Sequence, residues 1–132
     1  MTPLPLIANG DLGGSETLKG RAEDFQSVSA VMIGRMAVAC PWVFANWDRP
    51  VSVDLASIWN RMYHYVREDF PPAVALRRLK MFTNYFAANF KFGHQFKVEL
   101  ARAPSLEDLR RRAEAFFSRA PVTVAHPTMV GL

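Results

Sequence analysis

Two short apolar runs in the first third of the chain each end at a glycine beside a polar or charged residue. Leu4-Pro5-Leu6-Ile7-Ala8 leads into Asn9-Gly10-Asp11, and Val28-Ser29-Ala30-Val31-Met32-Ile33 leads into Gly34-Arg35. Glycine turns at strand ends suit one kind of chemistry. Their bare backbone N–H groups approach an anion closely, and a following helix adds the positive end of its dipole. Arg35 would supply a guanidinium fork matched to a phosphate. The same residues also serve as ordinary turn residues with a surface arginine, and spacing alone does not choose between the two readings.

Other chemistry is sparse. Cys40 is the single cysteine and cannot form an internal disulfide, which favours a reduced, cytoplasmic setting. It stands among apolar neighbours with no adjacent base, so it reads as a buried packing residue. His64, His94 and His126 are scattered without a metal-ligand spacing, and no metal is expected. His64 and His126 carry no functional assignment.

The elements that must hold the two glycine turns follow from pattern. Each apolar run reads as a buried strand. Between them, Ser15-Glu16 after Gly13-Gly14 starts a helix with Leu18, Ala22 and Phe25 at helical spacing, ending near Asp24 or Phe25. Strand, helix, strand is a parallel crossover, so both strand ends, and both glycine turns, open on one rim. Two strands cannot form a parallel sheet covered on both faces, so the unit should be a slice of something larger or lean on another chain. Ala37 to Phe44 reads as two short helices broken at Pro41, and Asp48-Arg49-Pro50 as a linker.

From Val51 the pattern is all helical. Leu55, Ile58, Trp59, Met62, Val66 and Phe70 line one helix, opened near Ser52 or Asp54 and closed by Pro71-Pro72. Leu76, Leu79, Phe82, Phe86 and Phe90 line a second, which Gly93 ends. Gln95 to Ala101 forms a third. Ser105 caps a fourth, with Leu106, Leu109, Ala113, Phe116 and Phe117 inward. The phenylalanine stripe is core. The tail from Pro121 has no period and is either loose or an extended arm. No internal repeat is visible.

The chain has 132 residues, 50% of them hydrophobic and 21% charged, which is the composition of a folded protein and not of a disordered one. A complete eight-stranded α/β barrel needs about 250 residues and does not fit. The longest uncharged runs fall short of the ~20 residues of a membrane span, and no signal peptide is expected. The net charge of +4 is unevenly placed. Residues 1 to 50 carry four basic against five acidic side chains, a net of −1, and the remainder carries twelve against seven, a net of +5. That asymmetry suits a polyanion partner, and equally a solvated helical surface.

The glycine turns and their surroundings also resemble a family. Pro5-Leu6-Ile7-Ala8-Asn9-Gly10-Asp11-Leu12, then Ala30-Val31-Met32-Ile33-Gly34-Arg35, then Pro41-Trp42-Val43-Phe44 are similar to the end of the flavin-binding barrel of the tRNA-dihydrouridine synthases. The family pattern runs approximately I-P-V-I-A-N-G-D-I and D-G-V-M-I-G-R-G-A-L-G-N-P-W-L-F, followed by a helical domain. The two motifs cover roughly the first 45 residues. Leu76-Arg77-Arg78-Leu79-Lys80 with Tyr85-Phe86 resembles the family's basic helix more loosely.

The resemblance implies a fold of α/β followed by all-α: the last βαβ slice of a TIM-type barrel over residues 1–48, a helical bundle that contacts tRNA over 51–119, and a tail over 120–132. It implies that Asn9, Gly10, Asp11, Gly34 and Arg35 receive the phosphate and ribityl end of FMN, with NADPH as the reductant that renews the flavin. Arg77, Arg78, Lys80, Lys91 and Lys97 then become the residues expected to hold tRNA, with the run Arg110-Arg111-Arg112 and Tyr85 or His94 beside them. The family's proton-donating cysteine and flavin-ring lysine and histidine belong to a stretch upstream of the residues matched here. Cys40 lies where the family has Gly-Asn-Pro-Trp and is not that cysteine. Met36 replaces a glycine after Gly34-Arg35 and would crowd the backbone beside the phosphate.

The expected function is thus the C-terminal part of a flavin-dependent enzyme that reduces uridine to 5,6-dihydrouridine in tRNA. The chain by itself is expected to be inactive, with the rest of the barrel as a partner. Two alternatives stand beside it: a non-catalytic RNA-binding or interaction module, and the tail of another FMN-dependent barrel oxidoreductase acting on small molecules.

Overall fold

The computed structural model describes residues 3–129, and these divide into two compact units, residues 3–51 with 128–129, and residues 52–127.

In the first unit, strand β1 (Ile7–Asn9) and strand β2 (Ala30–Met32) pair in parallel, with Ile7 opposite Ala30, Ala8 opposite Val31 and Asn9 opposite Met32. The strands are shorter than the apolar runs that form them, and they are not buried as expected. Ala8 and Val31 are half-buried, while Leu4, Leu6, Ile7 and Met32 are exposed. A sheet of two three-residue strands leaves both faces and both edges uncovered within this unit, which is the physical reason.

The crossover is helical, as its spacing predicts, but it breaks earlier. Helix α1 (Ser15–Gly20) stops at its glycine, and the chain continues as a 3-10 turn from Ala22 to Phe25. Helix α2 (Arg35–Ala39) follows β2, and Pro41 starts a 3-10 turn through Val43, so the break at Pro41 is where the sequence puts it. Among the described residues, the unit's buried apolar side chains are Leu12, Met36, Ala39, Cys40, Val43 and Met129.

The second unit is four helices: α3 (Leu55–Asp69), α4 (Pro72–Phe86), α5 (Gly93–Ala101) and α6 (Leu106–Ser118). Asp54 caps α3 by accepting hydrogen bonds from the Ala56 N–H and the Ser57 hydroxyl, and Ser105 caps α6 by accepting from the Asp108 N–H at 3.2 Å. Helix α4 packs against α3, α5 and α6, and α6 also packs against α3 and α5. Leu79, Phe86, Phe96, Leu100 and Leu109 are fully buried between them. Phe96 and Phe116 stack at 4.3 Å between ring centroids, and Phe90 meets Phe86, Phe96, Phe116 and Phe117 edge-on or tilted. Such contacts add to the burial of apolar area. The inner face of α3 differs in one respect from its stripe, because Tyr63 is buried beside Trp59 while Leu55, Ile58, Met62 and Val66 are half-buried.

Gly93 does not end the second helix. Helix α4 ends at Phe86, a 3-10 turn spans Ala87–Asn89, Phe90 is extended, and Gly93 is the first residue of α5. A Cβ at Gly93 would stand 2.0 Å from the Ala87 carbonyl oxygen, so glycine is there for close backbone approach. Part of the tail is an extended arm. Lys91 donates its N–H to the Val122 carbonyl and Val124 donates to the Asn89 carbonyl, framing an antiparallel bridge between Phe90 and Thr123.

Candidate functional site

Because β1 and β2 are parallel and end in register at Asn9 and Met32, the turns that follow them emerge at the same end of the sheet. Gly10 has φ +123° and Asp11 φ +48°, a left-handed turn in which glycine carries no steric cost. Extra atoms at Gly10 or at Gly34 would meet nothing within 4 Å, so the rim is open above both glycines. Asn9, Gly10, Asp11, Gly34 and Arg35 are all exposed.

The two turns are joined by one ion pair. The Arg35 guanidinium donates to the Asp11 carboxylate across 24 residues of sequence. Such an exposed pair is weak, on the order of 1 kcal/mol or less, but it fixes where the guanidinium stands. Arg35 is also the first residue of α2, with Gly34 as its N-cap. The donor set is therefore an arginine, two exposed glycine turns and open space, which fits the phosphate end of a cofactor. Asp11 is the element of the set that opposes an anion, since it already occupies part of the arginine's fork.

Met36 does not crowd the glycine rim. Its side chain is buried, and its terminal methyl lies beside Gly13, 3.6 Å from where a Cβ there would be. Cys40 is also buried, and its N–H donates to the Met36 carbonyl at the end of α2.

The basic residues of the helical unit are placed unequally. Arg77 is exposed and Lys97 half-exposed on their helices. Arg78 lies over the Phe70 ring at 4.2 Å, and Lys91 stands 5.8 Å from the Phe92 ring. Lys80 is engaged structurally: its ammonium donates to the carbonyls of Ala101 at 2.9 Å and Ala103 at 2.7 Å, closing the C-terminal end of α5. The arginine run is largely paired with acids on its own helix. Arg110 binds Glu114, and Arg111 and Arg112 both bind Asp108. Hydrogen bonding from Arg112 and then Arg111 holds the Asp108 carboxyl below the usual carboxylate range, against the opposing effect of burial. His94 is exposed and Tyr85 half-buried.

A cleft of about 840 Å³ lies in the helical unit between the last turns of α3, the first turn of α4 and the start of α6. No periodicity signals it, because its walls come from three helix ends. Among the described residues, no group of three or more His, Cys, Asp or Glu is placed to hold a metal ion, and no helix is long and apolar enough to cross a membrane.

The model of the dihydrouridine synthase family matches residues 1–121. The chain is 30% identical over 128 residues to tRNA-dihydrouridine synthase B of Escherichia coli K12 and to that of Shigella flexneri, and 28% identical over 131 residues to that of Proteus vulgaris. The alignments cover 86–88% of this chain and 39–40% of those proteins, so the chain spans about two-fifths of their length.

Proposed function

The chain belongs to the dihydrouridine synthase family, and on that premise we propose that it is the C-terminal part of a flavin-dependent tRNA-dihydrouridine synthase. In this reading residues 1–48 are the last βαβ slice of a TIM-type barrel, residues 51–119 are a tRNA-contacting helical domain and residues 120–132 are a tail. Bound FMN would supply hydride for the reduction of a uracil ring, and NADPH would restore it. The chain's own residues bind and orient. Arg35 and the backbone of Asn9, Gly10, Asp11 and Gly34 would hold the phosphate and the neighbouring ribityl chain. Arg77, Arg78, Lys91 and Lys97 would meet tRNA phosphates, while Lys80 serves the fold before it serves RNA. The rest of the barrel is the partner this arrangement needs, and without it the chain would not turn over. The setting is cytoplasmic.

The reading is carried by one observation: two glycine turns on paired parallel strands, tied by Arg35 and Asp11. It is tested on the 132-residue chain by titrating FMN and riboflavin, measuring tRNA binding across a range of salt, and assaying NADPH-dependent dihydrouridine formation. The expected result is binding of FMN in preference to riboflavin, salt-sensitive tRNA binding and no product. Product formed by the isolated chain would overturn the expected inactivity.

A second reading, a non-catalytic RNA-binding module, is favoured by the helical unit having its own core around Trp59, Phe86 and Phe96. Salt-dependent tRNA binding with no flavin effect would select it.

A further inference from the structure

We infer that the cleft between α3, α4 and α6 takes an unpaired nucleotide of the bound RNA, with its base against the Arg110 guanidinium that lies over Tyr63 and its phosphate at Arg67 and Arg111. The inference rests on the RNA-acting reading above. It gathers Arg110 and Arg111, which the sequence places among the basic residues near tRNA, with Arg67 and Tyr63, which it does not single out, into one site.

The cleft has the parts such a ligand requires. Tyr63 is only 3% exposed, and the Arg110 guanidinium covers its ring at 5.6 Å from the centroid. Glu114 accepts from the Arg110 Nε at 3.0 Å, which holds the guanidinium plane in place. A flat guanidinium backed by an aromatic ring is a platform on which a base stacks without regard to its identity. Leu76, Pro72 and Pro104 supply apolar walls, and the volume of about 840 Å³ is ample for one nucleotide.

Charge at the mouth is complementary to phosphate. Arg67 is exposed on the last turn of α3. Arg111 is 78% exposed, while the Asp108 carboxylate it pairs with is 10% exposed and is shared with Arg112, so a phosphate would meet the outer face of the Arg111 guanidinium. Two glutamates, Glu107 and Glu114, also line the cleft, but Glu114 is matched by Arg110. A duplex cannot present an unstacked base here, so the cleft should select single-stranded RNA.

The test uses the full chain with unfractionated tRNA as probe, and an unpaired oligoribonucleotide and a blunt RNA duplex of equal length as competitors. The double variant R67Q/R111Q should weaken tRNA binding about tenfold near 0.1 M salt and lower the salt slope by about two. Arg110→Lys keeps the charge and removes the plane, so it should leave the salt slope unchanged and abolish the preference for the single-stranded competitor. Wild-type binding by R67Q/R111Q, with weakening confined to Arg77→Gln and Lys97→Gln, would overturn the cleft while leaving the RNA reading intact. Equal competition by duplex and single strand would overturn nucleotide insertion. Failure of the wild-type chain to bind tRNA would overturn both.

Discussion

The Arg35 guanidinium donates to the Asp11 carboxylate, tying together two glycine turns that lie 24 residues apart and emerge from the same end of a parallel strand pair. This relationship orients the one cationic side chain of the proposed phosphate site, and it also places a carboxylate in competition with any phosphate that arrives. Both consequences can be measured.

If the rim takes the phosphate end of FMN, adding FMN should move the backbone amide resonances of Gly10, Asp11, Gly34 and Arg35 in a ¹H–¹⁵N spectrum. Arg35→Ala should lose those changes, and Asp11→Asn should retain or strengthen them, because it frees the guanidinium. Shifts confined to the helical unit would contradict the assignment.

Gly93 should tolerate no side chain. A Cβ there would stand 2.0 Å from the Ala87 carbonyl oxygen, so Gly93→Ala must displace backbone at the start of α5. A loss of at least about 2 kcal/mol in denaturant unfolding is expected. An unchanged midpoint would show that this connection yields freely.

Lys80 separates stability from RNA binding. Its ammonium binds the carbonyls of Ala101, the last residue of α5, and of Ala103 just beyond it, so Lys80→Met should lower unfolding stability by about 1 kcal/mol. Its effect on tRNA affinity should be smaller than that of Arg77→Gln. The reverse order would make Lys80 an RNA contact first.

These two residues also mark the limit of what the sequence tells. Helical periodicity finds all four helices of the second unit and the phenylalanines of its core, because burial on one face leaves a period in the residues themselves. It misreads Gly93 as a stop, since a glycine required by an approaching carbonyl looks the same as one that ends a helix. It likewise cannot tell Lys80, which closes a helix end through tertiary contact, from Arg77, which faces solvent. The strand runs are found but overextended and wrongly expected to be buried, because what covers a strand is not written in the strand. The glycine rim is legible from its motif, whereas the ion pair across it and the cleft between three helix ends arise only when the chain is folded.

Acid stability should report on Asp108 and Asp54. Both carboxyls are held below the usual range, Asp108 first by Arg112 and Asp54 first by the Ser57 hydroxyl. A carboxyl with a lowered folded-state pKa stabilises fully above its unfolded value, about 3.9, and the contribution disappears as pH falls through the folded value. The thermal midpoint should therefore be insensitive to these groups between pH 7 and 5 and should fall below about pH 4. Asp108→Asn should make that acid-side fall shallower. An equally steep fall in the variant would show that the arginine pairs do not carry it.

The central claim is that this chain supplies the phosphate end of a flavin site and the RNA-contacting helices of a dihydrouridine synthase. It is tested most directly by replacing the matching stretch of Escherichia coli tRNA-dihydrouridine synthase B with this chain and measuring flavin content and dihydrouridine in tRNA by mass spectrometry. The account predicts a chimera that purifies with bound flavin and restores dihydrouridine to tRNA from cells lacking the parent enzyme, and an Arg35→Ala chimera that loses the flavin. A folded, soluble chimera that holds no flavin and leaves the tRNA unmodified would contradict it.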